Sequence, residues 1–197
     1  RRNPLKHLTD TYGDEYPAKT LKVLYEYSQR GERGCAELLL KRYTDETIYN
    51  RETKEWLKYK NGVWGKDSIL NIKWRSQEFL LYIFTKIAHL AEAQEFKLKQ
   101  LARDESDNEQ EFKREASRYK KYALSFDKTK KAVTYNKTSD QILALLATAE
   151  DIGTANSDFD QHPLLINLQN GYYDLEQDQF YDSDPKKRFL CQFRTKY

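Results

Sequence analysis

The sequence predicts an α+β fold that is mostly helical, with a long helical hairpin and small antiparallel β-hairpins or a small sheet. Apolar residues recur every three and four positions from about 76 to 104, which predicts a long amphipathic helix. A polar break at 105–108 separates it from a second amphipathic segment around 112–126, and the pair predicts an antiparallel hairpin. Short aromatic runs beside two Asn-Gly pairs predict the strands.

Three shorter helices complete the helical prediction. The first runs from Asp14 to Arg30 with Pro17 in its first turn, and the second runs from Cys35 to Tyr43. The third covers Gln141 to Ala149, with Thr138-Ser139-Asp140 as its predicted N-terminal cap. A loop is expected between this helix and the final hairpin.

The strands are predicted from their turns. Asn61-Gly62 and Asn170-Gly171 each offer the residues of a type I′ turn, in which both central residues have positive φ. The predicted strand segments are 48–50, 56–59, 63–64, 164–168 and 172–175. We expect Trp56 and Trp64 to pack in the core or across strands, whereas Trp74 is a candidate for stacking on nucleobases.

Composition limits the class of protein. The 197 residues are 33% charged, 39% hydrophobic and 14% aromatic, which predicts a folded chain with a very polar surface. The longest apolar run, Phe79 to Phe84, is far short of the roughly 20 residues of a membrane-spanning helix. Only two cysteines occur, which favours a reducing, cytoplasmic setting. The chain has no Met and opens with Arg1, so we interpret it as a piece of a longer protein.

Positive charge is concentrated in one stretch of the chain. The net charge is +3, but Glu150 to Asp184 carries nine acidic residues and no Lys or Arg, so the remainder is strongly basic. The densest basic stretch, Lys113 to Lys131, has a net charge of +6 in nineteen residues. Its candidate nucleic-acid-binding residues are Lys113, Arg114, Arg118, Lys120, Lys121, Lys128, Lys130 and Lys131.

Two interpretations of this basic stretch are open. Cations that neutralise phosphates give affinity without sequence readout, and the interleaved Tyr119, Tyr122 and Phe126 could stack on unpaired bases. Helical spacing places Arg114, Arg118 and Lys121 on one line, away from the apolar stripe. The alternative is a solvated helix face with Tyr119 and Phe126 in the core.

Catalytic motifs are missing from the sequence. Gly65-Lys66 is followed by Asp67 and has no glycine five positions before it, so it is not a phosphate-binding loop. Asp158, Asp160 and His162 resemble metal ligands, but they lie in a polar stretch where a solvated loop or turn cap is the expected structure. Cys35 and Cys191 have no companion at the spacing of zinc ligands. We therefore predict neither a catalytic residue nor a metal site.

The last part of the chain resembles a known family. Asp160 to Pro163, Leu165 to Asn167, Asn170-Gly171, Asp174-Leu175 and Asp182 to Pro185 follow the order of motifs at the end of the poxvirus-type N-terminal domain of helicase-primases. Such domains occur in phages, plasmids, integrated mobile elements and large DNA viruses.

An earlier part of the chain is similar to the same family. Cys35 to Leu38, Trp56-Leu57 and Asn61 to Trp64 resemble its Asn-Ala-Glu, Trp-Leu and Gly-x-x-Trp elements in the same order, with Cys35 where the family often has Asn. The resemblance spans about residues 34–197. It implies an N-terminal helical lead-in at 1–33 and an accessory domain at 34–197, divided into 34–70, 71–150 and 151–197.

The resemblance also implies a biological role. In this family the domain precedes a superfamily III AAA+ ATPase that unwinds DNA as a ring, so ATP and Mg²⁺ are expected on the parent chain and none in this segment. The implied function is DNA replication, with single-stranded or forked DNA and other subunits of a helicase ring as partners. The alternative is a helical protein-interaction module that binds no DNA.

Overall fold

A computed structural model describes residues 16–104 and 106–197, and it confirms a mostly helical α+β fold. The helices of the described residues are α1 (Tyr16–Gln29), α2 (Gly31–Tyr43), α3 (Ile69–Asp104), α4 (Glu109–Val133) and α5 (Asn136–Ala147). Within these ranges, none of the helices is both long enough and apolar enough to cross a membrane. Part of the predicted first helix, at residues 14–15, lies outside the described residues.

The strands form two sheets. A four-stranded sheet has the order β3-β2-β1-β4, and a three-stranded antiparallel sheet has the order β5-β6-β7. Strand β1 pairs antiparallel with β2 and parallel with β4, where Tyr49 lies opposite Gly153. The strands are β1 (Thr47–Asn50), β2 (Glu55–Lys60), β3 (Val63–Asp67), β4 (Gly153–Thr154), β5 (Leu165–Leu168), β6 (Gly171–Asp174) and β7 (Gln179–Tyr181).

The described chain divides into two compact units. The helical unit contains residues 16–39 and 75–143, and the strand unit contains residues 40–74 and 144–197. The predicted boundary between residues 33 and 34 stays a prediction.

The helical unit contains the predicted antiparallel hairpin. Phe84 of α3 packs against Phe126 of α4 with ring centroids 6.3 Å apart, and Gln77 donates to the carbonyl oxygen of Val133 at 3.3 Å. Earlier residues of α3 therefore meet later residues of α4, which confirms an antiparallel pair. Helix α1 also packs on α4, where the Ser28 and Ser125 hydroxyls lie 2.8 Å apart.

The strand unit has its own core. Ile48, Leu57, Trp64 and Phe159 form one buried cluster, because alternate residues of β1, β2 and β3 point to the same face. The indole Nε1 of Trp64 donates to the carbonyl oxygen of Pro185 at 2.8 Å, which satisfies its buried polar group. Trp56 is also buried, so the packing roles predicted for Trp56 and Trp64 are confirmed.

Only one of the two predicted type I′ turns forms. Asn61 and Gly62 have φ of 53° and 85°, which confirms the first turn. In the second hairpin Leu168 pairs with Gly171, so the turn residues are Gln169 and Asn170, and the prediction of positive φ at Asn170 and Gly171 is wrong. Gly171 instead allows a close approach, since a Cβ atom there would lie 2.1 Å from the carbonyl oxygen of Tyr181.

Three helix starts differ clearly from the prediction. Helix α2 begins at Gly31, four residues before the predicted Cys35. Helix α3 begins at Ile69 because the hydroxyl of Ser68 accepts a hydrogen bond from the backbone N–H of Asn71 at 3.1 Å, which caps the helix. Helix α5 begins at Asn136, so the predicted cap at 138–140 lies inside the helix. There Ser139 donates to the carbonyl oxygen of Val133 at 3.0 Å.

The region after α5 is more structured than predicted. The expected loop contains β4 and a short 3₁₀ turn at Asn156–Asp158. A third strand, β7, extends the final hairpin. The segment after β7 returns along the strand unit, where Phe193 N–H donates to Asn167 at 2.9 Å and Gln169 N–H donates to Thr195 at 2.9 Å.

Candidate nucleic-acid interface

The apolar side of α4 is buried inside the helical unit. The rings of Tyr25 and Tyr122 lie 4.4 Å apart, and burial raises the pKa of Tyr122, although nearby Arg118 opposes this effect. The buried residues of α4 are Ala116, Tyr119, Tyr122, Ala123, Phe126, Thr129 and Val133. The opposite side of the helix is therefore the side available to a ligand.

Burial makes the aromatic side chains of α4 inaccessible to such a ligand. Tyr119, Tyr122 and Phe126 are 6%, 7% and 0% exposed, so they cannot stack on bases without unpacking the core. For Tyr119 and Phe126 this is the placement that the alternative interpretation predicted. Contacts from this helix to nucleic acid would have to be electrostatic.

The structure places the eight candidate cations in different environments. Three of them form ion pairs along the helix: Lys113 with Glu109, Arg118 with Glu115 and Lys130 with Asp127. The Lys121 ammonium lies 5.8 Å from the centroid of the Tyr25 ring. Within the described residues Arg114, Lys120, Lys128 and Lys131 make no ion pair, and all four are exposed.

Four of the cations lie along the solvent-exposed face of α4, three of them on one line and Lys131 about 60° around the helix from Lys128. Arg114, Lys121 and Lys128 follow one another at intervals of seven residues, which brings a helix back to within 20° of the same direction. Lys131 lies one turn further on. We call these four residues the basic stripe, and at 1.5 Å per residue it extends about 26 Å.

Arg114, Arg118 and Lys121 are all exposed on α4, as predicted, but Arg118 is left out of the basic stripe because it is already paired. Its guanidinium donates to Glu115 and lies 5.6 Å from the centroid of the Tyr119 ring, at the edge of the buried side. Lys128, which was also among the predicted candidates, belongs to the stripe because it is exposed and makes no ion pair with other described residues.

Two other features of the helices bear on ligand binding. Tyr25 of α1 was not among the predicted residues, yet it lies next to Lys121 and is only partly buried. Trp74 is 61% exposed, beside Leu70 at 75%, so the indole is accessible as the sequence prediction for stacking requires.

The acidic loop of the strand unit is a structural cap. Asp158 accepts hydrogen bonds from Ala155 N–H and from the Thr154 hydroxyl, both at 2.9 Å, and pairs with Arg188 at 3.0 Å. The backbone bond from Ala155, the Thr154 hydroxyl and the Arg188 charge hold the pKa of Asp158 below its usual value. In the described ranges no group of three or more His, Cys, Asp or Glu residues could hold a metal ion.

The two cysteines differ in their exposure to solvent. Cys35 is buried, and burial together with the charge of Glu32 raises the pKa of its thiol to about 12. Cys191 is exposed. Neither has the surroundings of a metal-binding thiolate.

The sequence matches the model of a known protein family. The sequence model of a family described as "D5 N terminal like" matches residues 36–197, which is most of the chain. No curated protein matches the sequence.

Proposed function

Because this chain belongs to the D5 N terminal like family, whose members are N-terminal domains of phage and viral primase-helicase proteins, we propose that it is a DNA-contacting accessory domain of a replicative helicase-primase. The domain itself is non-catalytic, and its DNA contact is made by α4. The match covers α3, α4, α5 and all seven strands of the described residues, whereas α1 lies outside it.

The observation that carries the proposal is the basic stripe. Arg114, Lys128 and Lys131 are exposed and make no ion pair with other described residues, so binding a phosphate would break no salt bridge there. The Lys121 ammonium contacts an aromatic ring and keeps its hydrogen-bond donors for a ligand. A line of such groups about 26 Å long can follow a phosphate backbone.

The burial of the α4 aromatics determines the mode of contact. With Tyr119, Tyr122 and Phe126 in the core, the helix offers charge and no stacking surface. Such contacts release counterions and carry no base information, so affinity is strongly dependent on salt and nearly independent of sequence.

The parent chain supplies the remaining chemistry in this proposal. ATP and Mg²⁺ bind to the motor that follows in related proteins, and other subunits of a helicase ring are the protein partners. The present chain is expected to hydrolyse no ATP, because its sequence contains no phosphate-binding loop.

The test is a triple variant of the stripe, Arg114→Gln, Lys121→Gln and Lys128→Gln. Fluorescence anisotropy with a labelled single strand, repeated over a series of salt concentrations, gives the slope of log K against log salt. Loss of three phosphate contacts should reduce this slope by about 2 and weaken binding to unrelated sequences equally. Forked DNA is measured in parallel.

A matched control variant removes the same number of positive charges at positions outside the basic stripe. Lys60, Lys97 and Lys186 are exposed and make no ion pair among the described residues, so their change to Gln should leave the slope as in the unmodified chain. Equal slopes for the stripe variant, the control and the unmodified chain, with circular dichroism preserved, would refute the proposal.

One observation favours the protein-interaction alternative. Leu124 is 63% exposed and lies on the same face of α4 as the basic stripe. If the unmodified chain binds no DNA at low salt, this face is assigned to a protein partner instead.

A further inference from the structure

A cavity of about 290 Å³ lies in the strand unit, between the loop at 160–163, strand β5 and the segment 189–193. Its apolar walls come from Pro163, Leu165, Phe189 and Phe193. This volume is at the lower end of the range for small-molecule pockets, which is about 300–1,000 Å³. The cavity therefore fits a single side chain or base better than a whole nucleotide.

Two amide side chains that line the cavity have both of their N–H groups engaged in hydrogen bonds, so only their oxygens can accept a further bond. Asn167 is 5% exposed, and its Nδ2 donates both hydrogens, to Gly62 at 3.0 Å and to Cys191 at 2.8 Å. The Nε2 of Gln192 likewise donates to Asn61 at 2.7 Å and to Leu168 at 2.9 Å. All four acceptors are backbone carbonyls, so neither amide can flip. The Oδ1 of Asn167 and the Oε1 of Gln192 have no hydrogen-bond partner among the described residues.

The only fully charged group in the cavity wall is a carboxylate. Asp160 is held in the left-handed region at φ 50°, with its N–H donating to Arg188 at 3.3 Å. One carboxylate oxygen accepts from Leu190 N–H at 3.1 Å, and the second has no partner among the described residues. Together with the two amides, Asp160 gives the lining residues of the cavity three acceptor atoms without a hydrogen-bond partner among the described residues.

We propose that this cavity binds an arginine side chain presented by a partner protein. A guanidinium has five N–H donors in one plane and no acceptor, which complements a wall of acceptors that includes a carboxylate. Its weak hydration and flat faces suit contact with Phe189 and Phe193. His162 and Cys191 complete the wall.

The charge of the surrounding sequence supports a cation over a nucleotide. Glu150 to Asp184, which supplies one side of the cavity, carries nine acidic residues and no Lys or Arg, whereas residues 185–197, which supply the other side, carry five basic residues and no acidic one. The net charge of 150–197 is therefore −4, and this field favours a cationic side chain over a phosphate. The proposal uses no residue of the basic stripe and is independent of DNA binding by α4.

The test uses the complete chain and a capped arginine, N-acetyl-arginine amide, as the probe. Titration followed by ¹H–¹⁵N correlation spectra should give saturable shifts at the Asn167 side-chain amide and at the Leu190 and Cys191 backbone amides. Capped citrulline has nearly the same shape without the charge, and capped lysine has the charge without the planar fork. Both are expected to bind at least about tenfold more weakly, as for loss of charge-assisted hydrogen bonds.

The variant Asp160→Asn removes the charge and keeps the structure. Asn tolerates the left-handed region and its Oδ1 can still accept from Leu190, so the fold is retained. It should weaken binding of the capped arginine about tenfold, by the same argument. The control Asp182→Asn removes one exposed acidic charge outside the cavity wall and should leave binding unchanged.

Three results would overturn the proposal. They are the absence of saturable shifts with the capped arginine, equal binding of arginine and citrulline, and saturable shifts at the same amides with guanosine or cytidine instead. The last result would identify a pocket for a nucleobase.

Discussion

The Nη2 atom of Arg51 donates a hydrogen bond to the backbone carbonyl oxygen of Ala149 at 3.1 Å. A second, longer contact of 3.5 Å reaches the carbonyl oxygen of Thr148. These carbonyls lie just after the last turn of α5, and the Ala149 carbonyl also accepts from the backbone N–H of Gly153 at 3.0 Å. Arg51, which follows β1, adds a charged donor that caps this turn. A side chain at Gly153 would displace it, because a Cβ atom there would lie 2.3 Å from its guanidinium.

Arg51→Ala is expected to lower the free energy of unfolding by about 1 kcal/mol, because carbonyls at the end of α5 lose a charged donor that is partly exposed to solvent. Urea denaturation followed by circular dichroism measures the change. Lys60→Ala removes an exposed cation that contacts no carbonyl among the described residues and is the control. Equal midpoints for the two variants would contradict the capping role.

Gly62→Ala is expected to destabilise the chain by about 1–2 kcal/mol, since a residue with a Cβ atom resists positive φ. The new Cβ atom would also lie 2.6 Å from the Nε2 of Gln192. Gly65→Ala is the matched control in the same strand region, because its Cβ atom would meet nothing within 4 Å. Thermal denaturation of both variants gives the comparison, and a melting temperature for Gly62→Ala as high as that of Gly65→Ala would count against the turn.

Gly171→Ala is expected to destabilise β6 and β7 for a different reason. The backbone at Gly171 is unstrained, but the Cβ atom would lie 2.1 Å from the carbonyl oxygen of Tyr181, which can move only if β7 moves. Hydrogen exchange should therefore accelerate at amides of β6 and β7. Unchanged protection in that sheet would show that the close approach is absent in solution.

Asp158 should make stability dependent on pH. Its pKa is lowered in the folded chain, chiefly by the Ala155 N–H and the Thr154 hydroxyl, so its ionised form favours folding. A lowered carboxyl pKa gives stability that is present above the unfolded value and is lost as pH falls through the folded value. The stability difference between the unmodified chain and Asp158→Asn should shrink as the pH falls from about 5 through the usual carboxyl range and below it. A constant difference over that range would exclude this role.

The long helices could be predicted because their apolar stripes are buried. In α3, Leu80, Ile87 and Ala91 are 1%, 0% and 0% exposed, and they follow the three- and four-residue spacing that indicated the helix. The first turns of α3 escaped prediction because Ile69, Leu70 and Trp74 are exposed and give no stripe. The cap by Ser68 fixes that start.

The sheet could be predicted only where its signals are local. Asn61-Gly62 lies between adjacent strands, whereas β4 has two residues and pairs with β1, more than one hundred positions away. In the second hairpin the sequence contains the same Asn-Gly pair, yet Leu168 pairs with Gly171 and moves the turn by one residue. The register of this hairpin depends on contacts such as that between Gly171 and Tyr181, which no local pattern in the sequence reveals.

The basic stretch of the candidate interface could be predicted from the sequence, but the ion pairs and the packing within it could not. Residue counts identified the basic stretch, but they could not show that Glu109, Glu115 and Asp127 pair with three of its cations. Burial of Tyr122 follows from packing against Tyr25, a contact across about half of the sequence. The basic stripe consists of cations that are left exposed and without an ion pair among the described residues, and it becomes visible only in the folded helix.

The pairing of β1 with β4 has a consequence for synthesis on the ribosome. Asn50 is translated about one hundred residues before its partner Thr154. At elongation rates of roughly 5–20 residues per second, this interval is roughly 5–20 s. During that time the β4-facing edge of β1 has no partner from this chain, and open strand edges are sites of aggregation. We therefore expect slower elongation before residue 154 to lower the yield of folded protein, and a trigger-factor-like chaperone to restore it.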